Sequence, residues 1–395
     1  MCILSIPSRR FAVGRHQLKV LREKSIIKAV TGVRRCGKSS LLDLFEEYLL
    51  GDGVSANAIV RMNFEYLEFE DIRDYKSLNT YVKDRLRTGG TTYILLDEVQ
   101  LVHQWEKAVN SLRLAKNTDI YLTGSNAWLL SSELSTLLSG RYMEIRMLPL
   151  SFSEFIDFNG YSRDSSLEEL FNRYIAVGGF PGVTELRDHK PFIGPFLNGI
   201  YNTVIMKDVV HRGNVRDPAL LDSVVRFIAG NVGNLISTKK VGDYLTSAGR
   251  KTTSDTIDNY LRLLENAFIL YRARRYDMKS KLHLKTHEKF YFVDTGIRGS
   301  LIVVRNNDYG FLLENIVYFE LLRRGYEVAV GKLGTLEVDF VATKPDKIVY
   351  YQVTATMLDE EVRERELKPL KSIPDNYEKV VLSMYRTPVT DYDGI

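Results

Sequence analysis

The sequence predicts an α/β protein in which helices sandwich a parallel sheet of the P-loop NTPase type, followed by a helical stretch and a second, smaller α/β module. Three observations predict it. Gly32-Val33-Arg34-Arg35-Cys36-Gly37-Lys38-Ser39 fits the pattern G-x-x-x-x-G-K-[ST] without mismatch. The apolar run from Ile26 to Val30 precedes it as a strand, and Ser40 to Phe45 follows with the apolar spacing of a helix. Further along, Tyr93-Ile94-Leu95-Leu96-Asp97-Glu98 reads as a buried strand ending in two acids.

Taken in order, the first 150 residues alternate strands and helices, with strands expected at 58–64, 92–96, 120–123 and 143–147. From 151 to 290 the periodicity is helical, as in Leu221, Val224, Val225, Ile228 and in Ile257, Tyr260, Leu261, Leu264. Ser237 opens a short helix ending near Gly249, Ser254 to Asn266 forms another, and Ala267 to Tyr271 reads as a strand. This is the order of a winged helix, a helix-turn-helix followed by a hairpin. Beyond residue 308, a helix carrying Glu314 and Glu320 precedes strands at 327–330, 336–342 and 348–354, a charged helix and a strand near Val380. The expected divisions are 1–150, 151–215, 216–300 and 301–395.

Composition limits the class. A chain of 395 residues exceeds one hydrophobic core, so two or three domains are expected. Hydrophobic residues at 45% and charged residues at 26% suit a globular protein, and no apolar run approaches the ~18 residues of a membrane span. Met1 to Phe11 lacks the apolar core of a secretory signal, and two cysteines cannot frame a disulfide scaffold, so a cytoplasmic location with no membrane contact is expected. The net charge of +4 says little by itself, but Arg272, Arg274, Arg275, Lys279, Lys281, Lys285 and Lys289, with His283 and His287, form the densest basic stretch. Two readings stand for it: a solvated strand pair, or a surface that meets DNA phosphates with strong salt dependence.

The chemistry of the first region is that of a nucleoside triphosphate. The loop from Gly32 to Ser40 turns backbone N–H groups and a helix N-terminus toward an anion; Lys38 reaches the outer phosphates, and Ser39 reaches Mg2+. Asp97 at its strand tip holds the magnesium through water, and Glu98 polarises the attacking water. Ser125 and Asn126 end the next strand as nucleotide-sensing candidates, or as caps for a following helix. Arg141 is either a finger pushed into a neighbouring subunit's nucleotide site or a surface arginine paired with Glu144 or another acid. For Cys36 a redox role competes with simple tolerance of the position.

Thr31 to Ser40, Asn63-Phe64-Glu65, Leu96 to Gln100, Thr123 to Asn126, Gly140-Arg141-Tyr142 and Pro149 to Phe152 together resemble the AAA-type archaeal and bacterial ATPases. In that family the core is followed by a segment like Gly178-Gly179-Phe180-Pro181 and a C-terminal domain of unknown function, which residues 200–395 resemble. The resemblance implies an ATP- and Mg2+-dependent core, a helical lid, a winged helix and a nuclease-like C-terminal module. No arginine of the lid stands out as a second nucleotide sensor.

Glu314, Asp339 and Gln352-Val353-Thr354 resemble the restriction-endonuclease pattern of acids with an E-x-K tripeptide. Gln352 offers a neutral oxygen where the pattern has a carboxylate, and Thr354 supplies no cation, so the module reads as a nuclease-like fold without cleavage. Asp339 could equally be held structurally beside Glu337. Three functions follow: an ATPase whose cycle rearranges the C-terminal modules on nucleic acid, a nucleotide-dependent switch for a protein partner, and, least favoured, a nucleotide-gated nuclease; the partners considered also include a second copy of the chain.

Overall fold

Five parallel strands form where the alternation places them: β1 (Ile27–Thr31), β2 (Ile59–Asn63), β3 (Thr92–Asp97), β4 (Thr118–Gly124) and β5 (Tyr142–Arg146), in the spatial order β2-β3-β4-β1-β5. The computed structural model describes residues 12–125, 138, 140–162, 165–303, 308–385 and 391–395. Every residue of β1 and β3 is buried, as expected of parallel strands covered on both faces. One cover is the helix Lys38–Gly51, which turns Leu41, Leu42, Phe45 and Leu49 inward. Lys28 survives in the buried β1 because its ammonium meets the Asp119 carboxylate, which also accepts from Tyr121.

Helices Phe152–Asn159, Leu167–Val177 and Lys190–Thr203 follow, and the last runs into a π-helical stretch, Val204–His211. Helices Pro218–Ala229, Thr238–Ser247 and Ser254–Asn266 occupy the expected places, but the strand expected at Ala267 does not begin there. The last helix ends in a turn with Phe268 at φ 57°, and β6 spans Leu270–Asp277.

The hairpin of β6 and β7 (Leu282–Phe292) is built into the second sheet. With β8 (Glu327–Leu333), β9 (Leu336–Lys344), β10 (Lys347–Thr354) and β11 (Glu378–Ser383) it forms the order β11-β10-β9-β8-β6-β7. Parallel pairing of Arg275 to Asp277 with Val330 to Lys332 joins the two parts, so the sheet crosses the division drawn at residue 300. The largest apolar cluster among the described residues runs from Leu41 and Phe45 through Phe155, Phe171 and Val224 to Tyr291 and Phe340, and two smaller ones lie around Ile94 and Trp105 and around Val341 and Leu370.

The double glycine after the helix Leu167–Val177 marks where these parts converge. A Cβ on Gly178, whose φ is +75°, would overlap the Asp294 carboxylate, and one on Gly179 would overlap the Leu150 carbonyl. Without them, the Gly179 N–H donates to Asp294 Oδ2 at 2.6 Å and its carbonyl accepts from Leu150 at 2.7 Å. Close approach, more than turn geometry, explains both residues.

Candidate nucleotide site

The loop lies at the carboxyl end of β1, where ligands of open parallel sheets bind. Gly32 takes φ +150° with the Met147 carbonyl where a Cβ would stand, and Gly37 takes φ +103° at the start of the helix from Lys38. That helix has no side-chain cap, so its first turn presents N–H groups suited to an anion. Lys38 is buried, and its ammonium donates to the Gly32 and Val33 carbonyls at 3.0 and 3.1 Å. Ser39 is half-buried, whereas Arg35 and Ser40 are exposed. Val33 and Cys36 are fully buried, and burial raises the Cys36 thiol; an inaccessible, protonated sulfur argues against redox control.

Asp97 and Glu98 stand at the tip of β3, with Thr123 of β4 between them. The Thr123 hydroxyl donates to Asp97 and accepts from the Glu98 N–H at 3.0 Å. The other Asp97 oxygen accepts from Asn63 at 3.1 Å and Arg61 at 3.3 Å, so this carboxylate is fixed by three neighbours. Glu98, at φ 53°, brings its carboxylate to 3.9 Å from the Lys38 ammonium and accepts from Gln100, which lies 3.5 Å from the buried Ser125 hydroxyl. Asn126 lies outside the described residues. The donors here fit a magnesium nucleotide: hard oxygens at Ser39 and Asp97, a buried ammonium, and an uncapped helix start.

Arg141 is exposed and sits before the first residue of β5, which is paired with Ile27. Five strand residues, ~16 Å, separate that end from the loop of its own chain. Its guanidinium lies 3.3 Å from Asn110, while Glu144 engages Arg146 at 3.2 Å and Thr31 at 2.6 Å, so of the acids considered Glu144 is turned to other partners.

Sequence reasoning missed Arg61, Gln100 and above all Asp208. The fully buried Asp208, in the π-helical stretch, accepts from Arg34 of the loop at 2.8 and 3.3 Å and meets Arg212 at 3.3 Å. A π-helical stretch is rare and often marks functional positions, but it is a feature of the fold with no signal along the sequence. Arg34 also reaches Glu65 at 3.3 Å.

At the second sheet, Glu314 from the helix Tyr309–Arg323 and Asp339 from β9 come together around a residue not expected there, and the Gln352 side chain accepts from the Asp339 N–H at 3.4 Å. Lys289 of β7 lies 2.9 Å from Glu314, 2.9 Å from Glu337 and 3.7 Å from Asp339. Gln352 donates to Glu366 at 3.0 Å, and Asp339 accepts from the Val353 N–H at 2.9 Å. Burial raises the Glu314 and Asp339 carboxyls, while three carboxylates outweigh burial at Lys289 and hold its ammonium charged. Among the described residues no set of three His, Cys, Asp or Glu side chains is arranged to hold a metal ion. Lys289 is therefore no part of a phosphate-facing surface, and neither is Arg272, whose guanidinium is engaged by Glu265 at 2.8 Å and Glu288 at 2.9 Å. Thr354 turns its hydroxyl to the Thr356 carbonyl.

Phosphate loop, acidic strand tip and polar neighbour meet on adjacent parallel strands, which places the chain in the P-loop class. A family described as an AAA domain matches residues 24–156, and a domain of unknown function, DUF8612, matches 168–308. An uncharacterized protein of Haemophilus influenzae is 42% identical over 381 residues, covering 96% of this chain and 94% of its own. An uncharacterized protein of Methanocaldococcus jannaschii is 30% identical over 380 residues, covering 90% and 81%. The chain belongs to this family of AAA-domain proteins. Among solved structures it is similar to a Walker-type ATPase of Pyrococcus abyssi, with TM-score 0.49, 16% identity and coverage of 75% of this chain and 98% of that one. No helix among the described residues is long and apolar enough to cross a membrane.

Proposed function

We propose that this protein is an ATPase whose nucleotide cycle repositions its C-terminal half, which contacts nucleic acid. The observation that carries the catalytic part is the placement of Glu98 beside Lys38, with Ser125 and Gln100 completing a polar cluster at adjacent strand ends. When bound, magnesium ATP supplies the phosphoryl group and the divalent charge. Lys38 and the loop N–H groups hold the phosphates; Ser39 is the direct oxygen donor to the metal. Asp97, whose two oxygens already accept hydrogen bonds, would supply negative charge beside the ion without needing to ligate it directly. Glu98 orients the attacking water and is itself held by Gln100, while Ser125 senses the nucleotide from the next strand. Arg141, far from its own loop, serves a neighbouring subunit's site, which implies a homo-oligomer.

Cleavage is no part of this proposal, because an ammonium sits among the carboxylates of the second sheet and Gln352 spends its amide on Glu366. The test is a pair of variants. Lys38→Ala should lose nucleotide binding, and Glu98→Gln should bind a fluorescent ATP analogue normally while turnover falls at least a hundredfold. Normal turnover by the Glu98 variant would overturn the assignment. Turnover stimulated by DNA favours work on nucleic acid, whereas turnover indifferent to it favours a switch acting on a protein partner.

A further inference from the structure

The second sheet carries a groove of about 1400 Å³ between the β6–β7 hairpin and the segment Ser372–Tyr377. Its two sides differ in chemistry. On the hairpin side stand Arg274, Lys279, Lys281 and His283, all exposed. Their neighbour Arg272 is neutralised by Glu265 and Glu288, but no ion pair of 4 Å or less is found for Arg274, Lys279 or Lys281 among the described residues. The floor is apolar, formed by the half-buried Val328, Leu336 and Ile348 above the buried ring of Tyr350. Opposite the cations, Tyr377 is 50% exposed and lies edge-on to Tyr350 at 6.3 Å, and Asp375 is held by the Tyr350 hydroxyl at 2.7 Å.

We infer that this groove binds single-stranded nucleic acid, with phosphates along the hairpin and bases over the floor against Tyr377. The ligand must offer anionic groups on one side and flat apolar faces on the other. A duplex hides its base faces in the stack and presents phosphates outward, so the apolar floor and exposed tyrosine would gain nothing from it. An unstacked strand satisfies both sides, since base–aromatic stacking needs no particular sequence. The carboxylates of Glu327 and Asp375 lie among the lining residues, where base N–H groups can donate to them. This inference rests on the proposal that the C-terminal half contacts nucleic acid.

The experiment is anisotropy with the full chain and a fluorescein-labelled 12-residue oligothymidine, beside a 12-base-pair duplex, at 50 and 200 mM NaCl. Three phosphate contacts predict that affinity for the single strand falls roughly twentyfold between the two salts. The triple variant R274A/K279A/K281A, altered only at exposed positions, should lose at least tenfold in affinity and most of the salt dependence. Tyr377→Ala should weaken binding about fivefold with the salt dependence kept, which a purely ionic surface would not produce. Wild-type affinity in both variants overturns the site. If the duplex binds as tightly through the same three cations, the phosphate contact survives and the single-strand inference falls; if neither probe binds, both fall, leaving ATP turnover to be judged by the Glu98 variant.

Discussion

Asp294 offers a sharp test of how the parts of this fold are held together. Its carboxylate is buried where the double glycine, the core and the C-terminal half converge, and it accepts from Gly179 at 2.6 Å and Ile297 at 3.0 Å. Burial raises its carboxyl from the ordinary 3.8 to about 6, against the lowering effect of the backbone donors and Arg323. A carboxyl raised on folding binds more protons in the native state, so its contribution to stability is fully present below pH ~4 and is lost as pH rises to about 6. At ~1.4 kcal/mol per pH unit the loss is roughly 3 kcal/mol. Asp294→Asn keeps an acceptor and removes the ionisation. Urea unfolding of both proteins from pH 4 to pH 7.5 should give a stability difference that moves by roughly 3 kcal/mol in favour of the variant as pH rises, flat above pH ~7. A pH-independent difference would refute the assignment. Asp294→Ala, which strips both acceptors, should be weaker than Asn at every pH, confirming that the hydrogen bonds are a separate contribution.

Two further outcomes follow from buried ion pairs. Lys289→Met leaves Glu314 and Asp339 buried without their cation and should cost about 3–5 kcal/mol at pH 8. The cost should be smaller at pH 5, because those raised carboxyls then take up protons, and equal urea midpoint shifts at the two pH values would contradict this. Asp208→Asn should weaken the link from Arg34 and Arg212 to the π-helical stretch by ~1.5–3 kcal/mol, lowering turnover about tenfold with little change in nucleotide affinity. Unchanged steady-state turnover would remove Asp208 from the cycle.

What was legible in the sequence shares one physical property, contiguity. The phosphate loop and the Asp97-Glu98 tip each place their chemistry on consecutive residues, so strand, turn and helix signals sufficed to locate them. Asp208 is 174 residues from Arg34, and nothing local to either residue announces the other. Lys289 reads as one more member of a basic run, and only the pairing of β6 with β8 turns β7 into the second sheet, where its ammonium meets Glu314. Its place among Glu314, Glu337 and Asp339 joins a helix and two strands, an arrangement invisible to any search along one of them.

The same distance effect bears on how a nucleotide could move the far half of the molecule. Coupling needs a contiguous packed or bonded chain with two arrangements. One such chain runs from Arg34 to Asp208 and into the helix Lys190–Thr203, whose neighbour is the helix Thr295–Leu301 that Asp294 caps. A second starts after β5 at Pro149, whose carbonyl accepts from Arg323, and reaches the helix Tyr309–Arg323. Only the first begins on a residue of the phosphate loop itself. Phosphates entering that loop would compete with Asp208 for Arg34, because both are anions seeking one guanidinium, whereas the second chain has no charged group at the site to displace. Loss of coupling in the Asp208 variant, with Arg323→Ala changing stability alone, would therefore assign the nucleotide signal to the charged path.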